Sequence, residues 1–300
     1  MRVFVTGATG LIGSALCGAL VGKGHAVTAL SRSPGAARRL PAGVRAVQGD
    51  PAEAGPWQEE LSSCDACVHL AGEPIAEGRW TPEKKRRLRT SRVDSTARVA
   101  EVIRSGGPTV LVQGSAVGFY GSRGDEALDE SSPAGEGFLA DLSRDWEAAA
   151  APAAERARVV LLRTGVVLAR EAGALPKLVF PFKLMAGGPI GAGEAWFPWI
   201  HLQDEVGLAL FALEQGRASG PMNATAPEPV RGRDLARAIG STLGRPSFVR
   251  TPALAVRLAL GEAAQAVLSS QRVLPRRALA LGYPFRFPEI GGALRDLLGR

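Results

Sequence analysis

Three glycines at a fixed spacing are the first residues in this chain with an evident chemical use. Thr6-Gly7-Ala8-Thr9-Gly10-Leu11-Ile12-Gly13 follows the apolar run Arg2-Val3-Phe4-Val5 and opens a stretch in which Ile12, Leu16 and Leu20 share one helical face. A strand that turns into a helix through glycines presents backbone N–H groups at the helix N-terminus, where a dinucleotide pyrophosphate can rest. Gly7 would allow the tight turn, Gly10 would keep a Cβ out of the way of the diphosphate, and Gly13 would let the first helical turn lie close to the sheet. Thr9, Leu11 and Ile12 complete the expected cradle. The spacing is G-x-x-G-x-x-G rather than G-x-G-x-x-G, so the inference rests on the strand before and the amphipathic helix after. A glycine-rich turn that binds nothing is the competing reading.

The second strand-like run ends Thr28-Ala29-Leu30-Ser31-Arg32-Ser33. A fold selective for NAD places an acidic residue near this point to hold the ribose 2′-hydroxyl. Here the first acidic residue of the whole chain is Asp50. Ser31 and Arg32 stand at the tip instead, and a guanidinium there can pair bidentately with a 2′-phosphate. NADP(H) is the cofactor expected.

Groups able to move a proton are few. Leu70-Ala71-Gly72 closes the fourth strand-like run and is placed to meet the cofactor through backbone, with Glu73 next to it as a catalytic acid or base or as an ordinary turn carboxylate. Ser115 follows the fifth run, and Tyr120 is the one tyrosine near that crevice. Ser115 has a capping or turn role as its alternative, and Tyr120 has ring packing. Cys64 and Cys67 form a C-x-x-C, but Cys67 begins the strand-like Cys67-Val68-His69-Leu70, and no cysteine or histidine pair with zinc spacing accompanies it. No metal site is expected, and His69 reads as a packed strand histidine. The densest positive run, Lys84 to Arg92, lacks the interleaved aromatics of a nucleic-acid surface. It reads as a solvated helix face, with Arg92 turned inward towards the cofactor.

The elements that must position these residues alternate. Strand-like runs near 2–6, 26–31, 44–48, 66–71, 109–113 and 159–164 are separated by helical patterns near 11–23, 81–105 and 139–156, which implies βαβ units and a parallel sheet. The expected class is α/β: a Rossmann-type doubly wound parallel sheet with a smaller C-terminal α/β substrate lobe. Residues 1–167 would form the NADP-binding domain, which also receives segments near 196–224. Residues 168–300 would be mostly substrate lobe and C-terminal extension. In that half, Trp196-Phe197-Pro198-Trp199 suggests a substrate-facing wall or an interdomain core.

Bulk properties fit. The chain has 300 residues, 46% hydrophobic and 22% charged, with a net charge of +7 that suits anionic ligands. Three cysteines give no disulfide framework and point to a reducing cytoplasm. No long apolar run suggests a membrane span, and the first strand starts at once, leaving no room for a leader.

These motifs together resemble the extended short-chain dehydrogenase/reductase superfamily, through Thr6–Gly13, the His69–Gly72 turn and Ser115–Gly121. More closely, the chain resembles an atypical "epimerase family" branch with a C-terminal extension of unknown function. Gly72-Glu73-Pro74, Ser115-Ala116-Val117-Gly118-Phe119-Tyr120-Gly121, Arg163 to Leu168, Gly187 to Gly191 and Trp199-Ile200-His201 carry that match across essentially the whole chain. The resemblance implies NADP(H) binding, Val166 beside the nicotinamide, and an oxidoreductase or isomerase acting on an unidentified small molecule. It also implies a soluble monomer or homodimer; the lack of a spanning run and of aromatics beside residues 84–92 leaves neither membrane nor nucleic acid as an expected partner. His201 and Asp204 would link the lobe to the main sheet.

One part of the superfamily pattern is missing. Its proton chemistry rests on a Tyr-x-x-x-Lys pair with a Ser or Thr. The chain has two tyrosines, Tyr120 and Tyr283, and Gly124 and Phe287 stand four residues after them. Phe138 and Leu142 occupy the expected places of the pair. The hydroxyl position falls at Ser115 or, counted back from Tyr120-Gly121, at Ala116. An NADP(H)-binding sensor or scaffold without turnover is therefore the rival reading.

Overall fold

Alternating side chains along the first strand face opposite ways and seed two cores. In the computed structural model, which describes residues 1–75 and 77–299, β1 (Arg2–Thr6) sends Val3 and Val5 to one face and Phe4 to the other. Around it lie β2 (Ala26–Ser31), β3 (Val44–Gln48), β4 (Ala66–His69), β5 (Val110–Ala116), β6 (Arg158–Thr164) and β7 (Gly220–Ala224). They form a seven-stranded sheet in the order β3-β2-β1-β4-β5-β6-β7, with every pairing parallel. The chain reverses direction across the sheet between β1 and β4, the point at which open α/β sheets bind ligands.

One face is covered by α1 (Leu11–Gly22) and α7 (Leu202–Glu214), which bury Leu16, Leu20, Leu208 and Ala212 against Val5, Val68 and Val112. The other face is covered by α2 (Trp57–Ser62), α4 (Ser95–Arg104) and α5 (Phe138–Ala150), with Trp57, Leu61, Val99 and Ile103 against Phe4 and Leu111. Burial on both faces explains why these strands read as continuous apolar runs.

The segment read as a single helix over 81–105 is two helices. α3 (Pro82–Arg89) starts on Thr81, whose hydroxyl accepts the Lys84 N–H at 3.2 Å, and it passes into α4 through one π turn, Thr90–Asp94. That extra residue per turn shifts the helical register, and Arg92, inside it, ends up buried.

The second half has its own core. α6 (Leu175–Lys183) and α8 (Gly232–Leu243) enclose Val179, Phe182, Leu235 and Ile239 with Trp199 and, from the C-terminal helix Ile290–Leu298, Leu294 and Leu297. α7 and β7 return to the main sheet, and the short strand Trp199–His201 pairs with Val166–Leu168. Trp199 belongs to the core of the lobe, whereas Trp196 is half-buried and donates to Asp125. Among the described residues no helix is long and apolar enough to cross a membrane.

Candidate functional site

The glycine loop lies against the end of β4. Gly7 has φ +67°, and a Cβ there would sit 2.6 Å from the Leu70 carbonyl oxygen. A Cβ on Gly13 would sit 2.2 Å from the Gly7 carbonyl oxygen, so this glycine keeps the helix close to its own entry turn; the close approach expected to the sheet is made to the loop. Gly10 is the helix N-cap, with no side-chain cap and no acidic residue in the first turn. The first-turn N–H groups of a helix have no intrahelical acceptor. Thr9, Leu11 and Ile12 are half-buried.

A neutral hydrogen-bond chain fixes β1 to β4 beneath that loop. The Thr6 hydroxyl oxygen accepts the N–H groups of Leu70 (3.2 Å) and Ala71 (3.1 Å), so its own proton goes to His69 Nδ1 at 2.6 Å. His69 Nε2–H then donates to Ser95 Oγ at 3.0 Å, and Ser95 donates to the Ser91 carbonyl at 2.8 Å. Complete burial pushes His69 down to about 3, so the imidazole is neutral and works as a strut. Its placement is that of a packed strand histidine.

Arg32 stands at the tip of β2, its side chain 71% exposed, with one ionic neighbour, Asp50, at 4.0 Å. Sequence spacing left Asp50 aside because it follows β3, yet parallel pairing brings it to the same edge. Ser31 Oγ accepts the Ser33 N–H at 3.3 Å. Arg92 is 7% exposed and lies over Gly72, where a Cβ would meet its guanidinium at 3.1 Å. The guanidinium also lies 5.1 Å from the Trp146 ring. Nη1 reaches the Leu88 carbonyl at 3.3 Å, while Nε has no partner, and burial lowers the group to about 10. Val166, half-buried, donates its N–H to the Pro198 carbonyl at 2.6 Å.

The three residues singled out for proton transfer are all engaged elsewhere. Glu73 accepts from the buried Lys84 Nζ at 2.8 Å, with Arg87 at 3.6 Å, and the Lys84 hydrogen bond holds its carboxyl below the usual range. Ser115 is 3% exposed and donates to Glu147 Oε1 at 2.6 Å. Glu147 in turn accepts two hydrogen bonds from Arg163, both at 2.8 Å. Arg163 Nη1 donates to the Tyr120 hydroxyl at 3.0 Å, and that hydroxyl donates to Asn223 Oδ1 at 2.6 Å. Tyr120 is fully buried, and burial raises its hydroxyl to about 12. The Arg163 guanidinium also stacks on Phe119 at 3.6 Å. Glu147 emerges only from the fold, because it stands in no local motif; Arg163 opens the Arg163–Leu168 motif, but its pairing with Glu147 and Tyr120 is visible only in the structure.

Other titratable groups are structural. Cys64 and Cys67 are free and buried, and desolvation raises both thiols, which removes the thiolate character a redox pair needs. No group of three or more metal-ligating side chains exists among the described residues. Four of the five cations in the run 84–89 are paired internally: Lys84 with Glu73, Lys85 with Glu262, Arg87 with Glu83, and Arg89 with Asp145. Asp204 accepts the N–H groups of Arg286 and Phe287, each at 2.8 Å, and His201 bonds Asp296 at 3.2 Å. Both thus tie the C-terminal segment to α7.

Comparison with known proteins gives the family. The model of the NAD dependent epimerase/dehydratase family matches residues 3–224. The chain belongs to that family. A second match, Domain of unknown function (DUF1731), covers residues 251–297 of this epimerase-family chain, the segment that Asp204 and His201 hold. A chloroplastic epimerase family protein SDR39U1 homolog of Arabidopsis thaliana is 41% identical, over 99% of this chain and 87% of the relative. The Homo sapiens epimerase family protein SDR39U1 is 38% identical over 99% of this chain and 100% of its own length. The crystal structure of human SDR39U1 (isoform 2) with NADPH superposes with a TM-score of 0.88, at 37% identity and 99% coverage of both chains.

Proposed function

We propose that this epimerase-family chain binds NADP(H) across the β1/β4 switch point and acts as an oxidoreductase or isomerase whose proton step is not run by a tyrosine. The diphosphate is cradled by Gly7, Thr9, Gly10, Leu11, Ile12 and Gly13, where the two tightest glycines leave no room for a Cβ and the helix N-terminus is uncapped. Ser31 and Arg32 take the 2′-phosphate. Leu70, Ala71 and Gly72 form the floor, Arg92 supplies a buried positive charge beneath it, and Val166 faces the nicotinamide. When bound, the cofactor supplies the hydride chemistry; the protein binds, orients and excludes water.

The observation that carries the NADP(H) reading is Arg32, an exposed guanidinium at the β2 tip with only Asp50 at 4.0 Å. A 2′-phosphate would displace that loose contact with a charge-assisted bidentate pair. The NADPH in the human relative supports the same preference. Titration with NADPH and NADH tests it: Arg32→Glu is expected to cut the preference for NADPH by about tenfold or more. Unchanged preference, or no affinity for either nucleotide, would end the reading.

The second reading, a sensor or scaffold that binds NADP(H) without turnover, is favoured by one observation: Ser115, Tyr120 and Glu73 are all committed to other partners. Cofactor oxidation across a panel of aldehydes, ketones and nucleotide sugars separates the two. Tight NADPH binding with no turnover on any of them would replace the enzyme by the sensor.

A further inference from the structure

We propose that the exposed apolar strip of the second lobe, residues 180–191 with 245–258, is a docking surface for an anionic phospholipid bilayer. Ten large apolar side chains are exposed among the described residues, and seven of them lie between positions 180 and 258. Phe180, Leu184, Met185, Phe248, Leu254 and Leu258 are each more than half exposed.

These residues come from neighbouring backbone. The Val249 N–H donates to the Gly187 carbonyl at 3.0 Å, the Gly191 N–H to the Thr251 carbonyl at 2.8 Å, and Arg245 reaches the Met185 sulfur at 3.3 Å. α6 runs into this strip and α9 (Ala253–Leu260) runs out of it. α9 buries none of its residues, and its Leu254 and Leu258 share one face one turn apart. Met185 takes a left-handed conformation, φ +62°, the one non-glycine to do so among the described residues. Glycine usually ends a helix in that way. Here the position keeps a long apolar side chain, and the side chain is left in solvent.

Charge selects the occupant. Residues 172–193 and 235–261 contain no Asp or Glu. Lys177, Lys183, Arg245, Arg250 and Arg257 are exposed, and none makes an ion pair among the described residues. A second copy docked through the same face would set cation against cation. Apolar side chains interspersed with Lys and Arg suit the headgroup–acyl boundary of an anionic membrane, where the aliphatic groups enter and the cations stay at the phosphates. This departs from the expectation that membranes play no part, which rested on the lack of a spanning segment; a surface contact needs none.

Flotation of the full chain with phosphatidylglycerol vesicles and with phosphatidylcholine vesicles tests the proposal. Binding is expected to the anionic vesicles alone and to weaken with salt. The double variant Leu254→Ser/Leu258→Ser is expected to weaken it by about tenfold or more, as is Arg250→Glu/Arg257→Glu, while Leu279→Ser, exposed elsewhere, leaves it unchanged. NADPH affinity should be the same in all of them, which keeps this test separate from the cofactor reading. The proposal is overturned by absence of binding to phosphatidylglycerol at low salt or by equal binding of the leucine double variant. It is also overturned by a lipid-free dimer, seen by light scattering, that the same variant abolishes.

Discussion

Two buried polar chains hold the crevice, one on each side, and they solve the same problem in opposite ways. Beneath the glycine loop, Thr6, His69 and Ser95 form a neutral chain in which every proton is assigned by its neighbour. Beneath β5 and β6, Ser115, Glu147, Arg163, Tyr120 and Asn223 form a chain built on a buried ion pair. The neutral chain takes only the N–H groups of Leu70 and Ala71 from the loop after β4 and leaves the α1 N-terminus uncapped. The charged chain consumes the hydroxyls that proton transfer would need. On the proposed reading the nucleotide lies on the side of the neutral chain, while on the other side structural hydrogen bonds engage the residues that resemble a catalytic set.

The largest effect expected from breaking this comparison is in the charged chain. Arg163→Met leaves Glu147 buried without its two hydrogen bonds and is expected to cost about 3–5 kcal/mol, read by urea unfolding. Adding Glu147→Leu removes the orphaned charge and should recover most of the loss. A double variant as unstable as the single one would mean that the pair is not an isolated electrostatic unit.

Gly13→Ala acts on the open side. Its Cβ would lie 2.2 Å from the Gly7 carbonyl oxygen, a backbone atom that cannot swing away. The loop must open, and NADPH affinity is expected to fall about a hundredfold with a smaller change in stability. Binding equal to that of the parent chain would show that the cradle lies elsewhere.

The sheet and the glycine turn are legible in the sequence because their signals are local. The strands near 2–6, 26–31 and 44–48, the turn at Gly7–Gly13 and Arg32 at the end of β2 each lie within one short window, whereas Asp50 reaches Arg32 only through the pairing of β2 with β3. What was not legible depends on distance. Glu147 meets Ser115 across 32 positions and Asn223 meets Tyr120 across 103, so no window contains either pair. The π turn at Thr90–Asp94 leaves no mark in the sequence, because one extra residue in a helical run keeps the apolar pattern nearly intact. The start of α7 is hidden although Asp204 and Glu205 occupy its first turn, since its N-cap is His201 rather than a Ser, Thr, Asp or Asn.

Acid and alkali should act on different sides of the molecule. His69, depressed to about 3 in the fold from 6.5, binds fewer protons folded than unfolded below pH 6.5. Its neutral form therefore stabilises the fold above that pH, and the contribution is lost as pH falls from 6.5 towards 3, amounting to about 2 kcal/mol at pH 5. Glu205 is the reverse. It is buried, accepts from Thr164 at 2.7 Å, has no partner at Oε2, and is raised to about 8 by desolvation. Its contribution is complete below pH 4.5 and is lost as pH rises through 8. Glu205→Gln should flatten the loss of stability between pH 4.5 and 8 in a melting-temperature profile, with a gain of about 3 kcal/mol at pH 7, and leave the profile below pH 4.5 alone. A profile in which that variant shifts both ranges equally would contradict the assignment.

The smallest effect expected is the most discriminating. Tyr120→Phe deletes a hydroxyl that accepts from Arg163 and donates to Asn223, so each partner loses one hydrogen bond and the fold should weaken by about 1 kcal/mol. If Tyr120 were the proton donor, the same change would lower turnover by about a hundredfold or more and leave NADPH affinity intact. A hydroxyl with no exposed surface, raised to about 12 and already donating to Asn223, is poorly suited to that role. Turnover and NADPH affinity per folded molecule should both match the parent chain, with only the unfolding midpoint moved. The opposite split, a stable protein that binds NADPH and has lost its turnover, would return the charged chain to the chemistry and erase the contrast between the two sides.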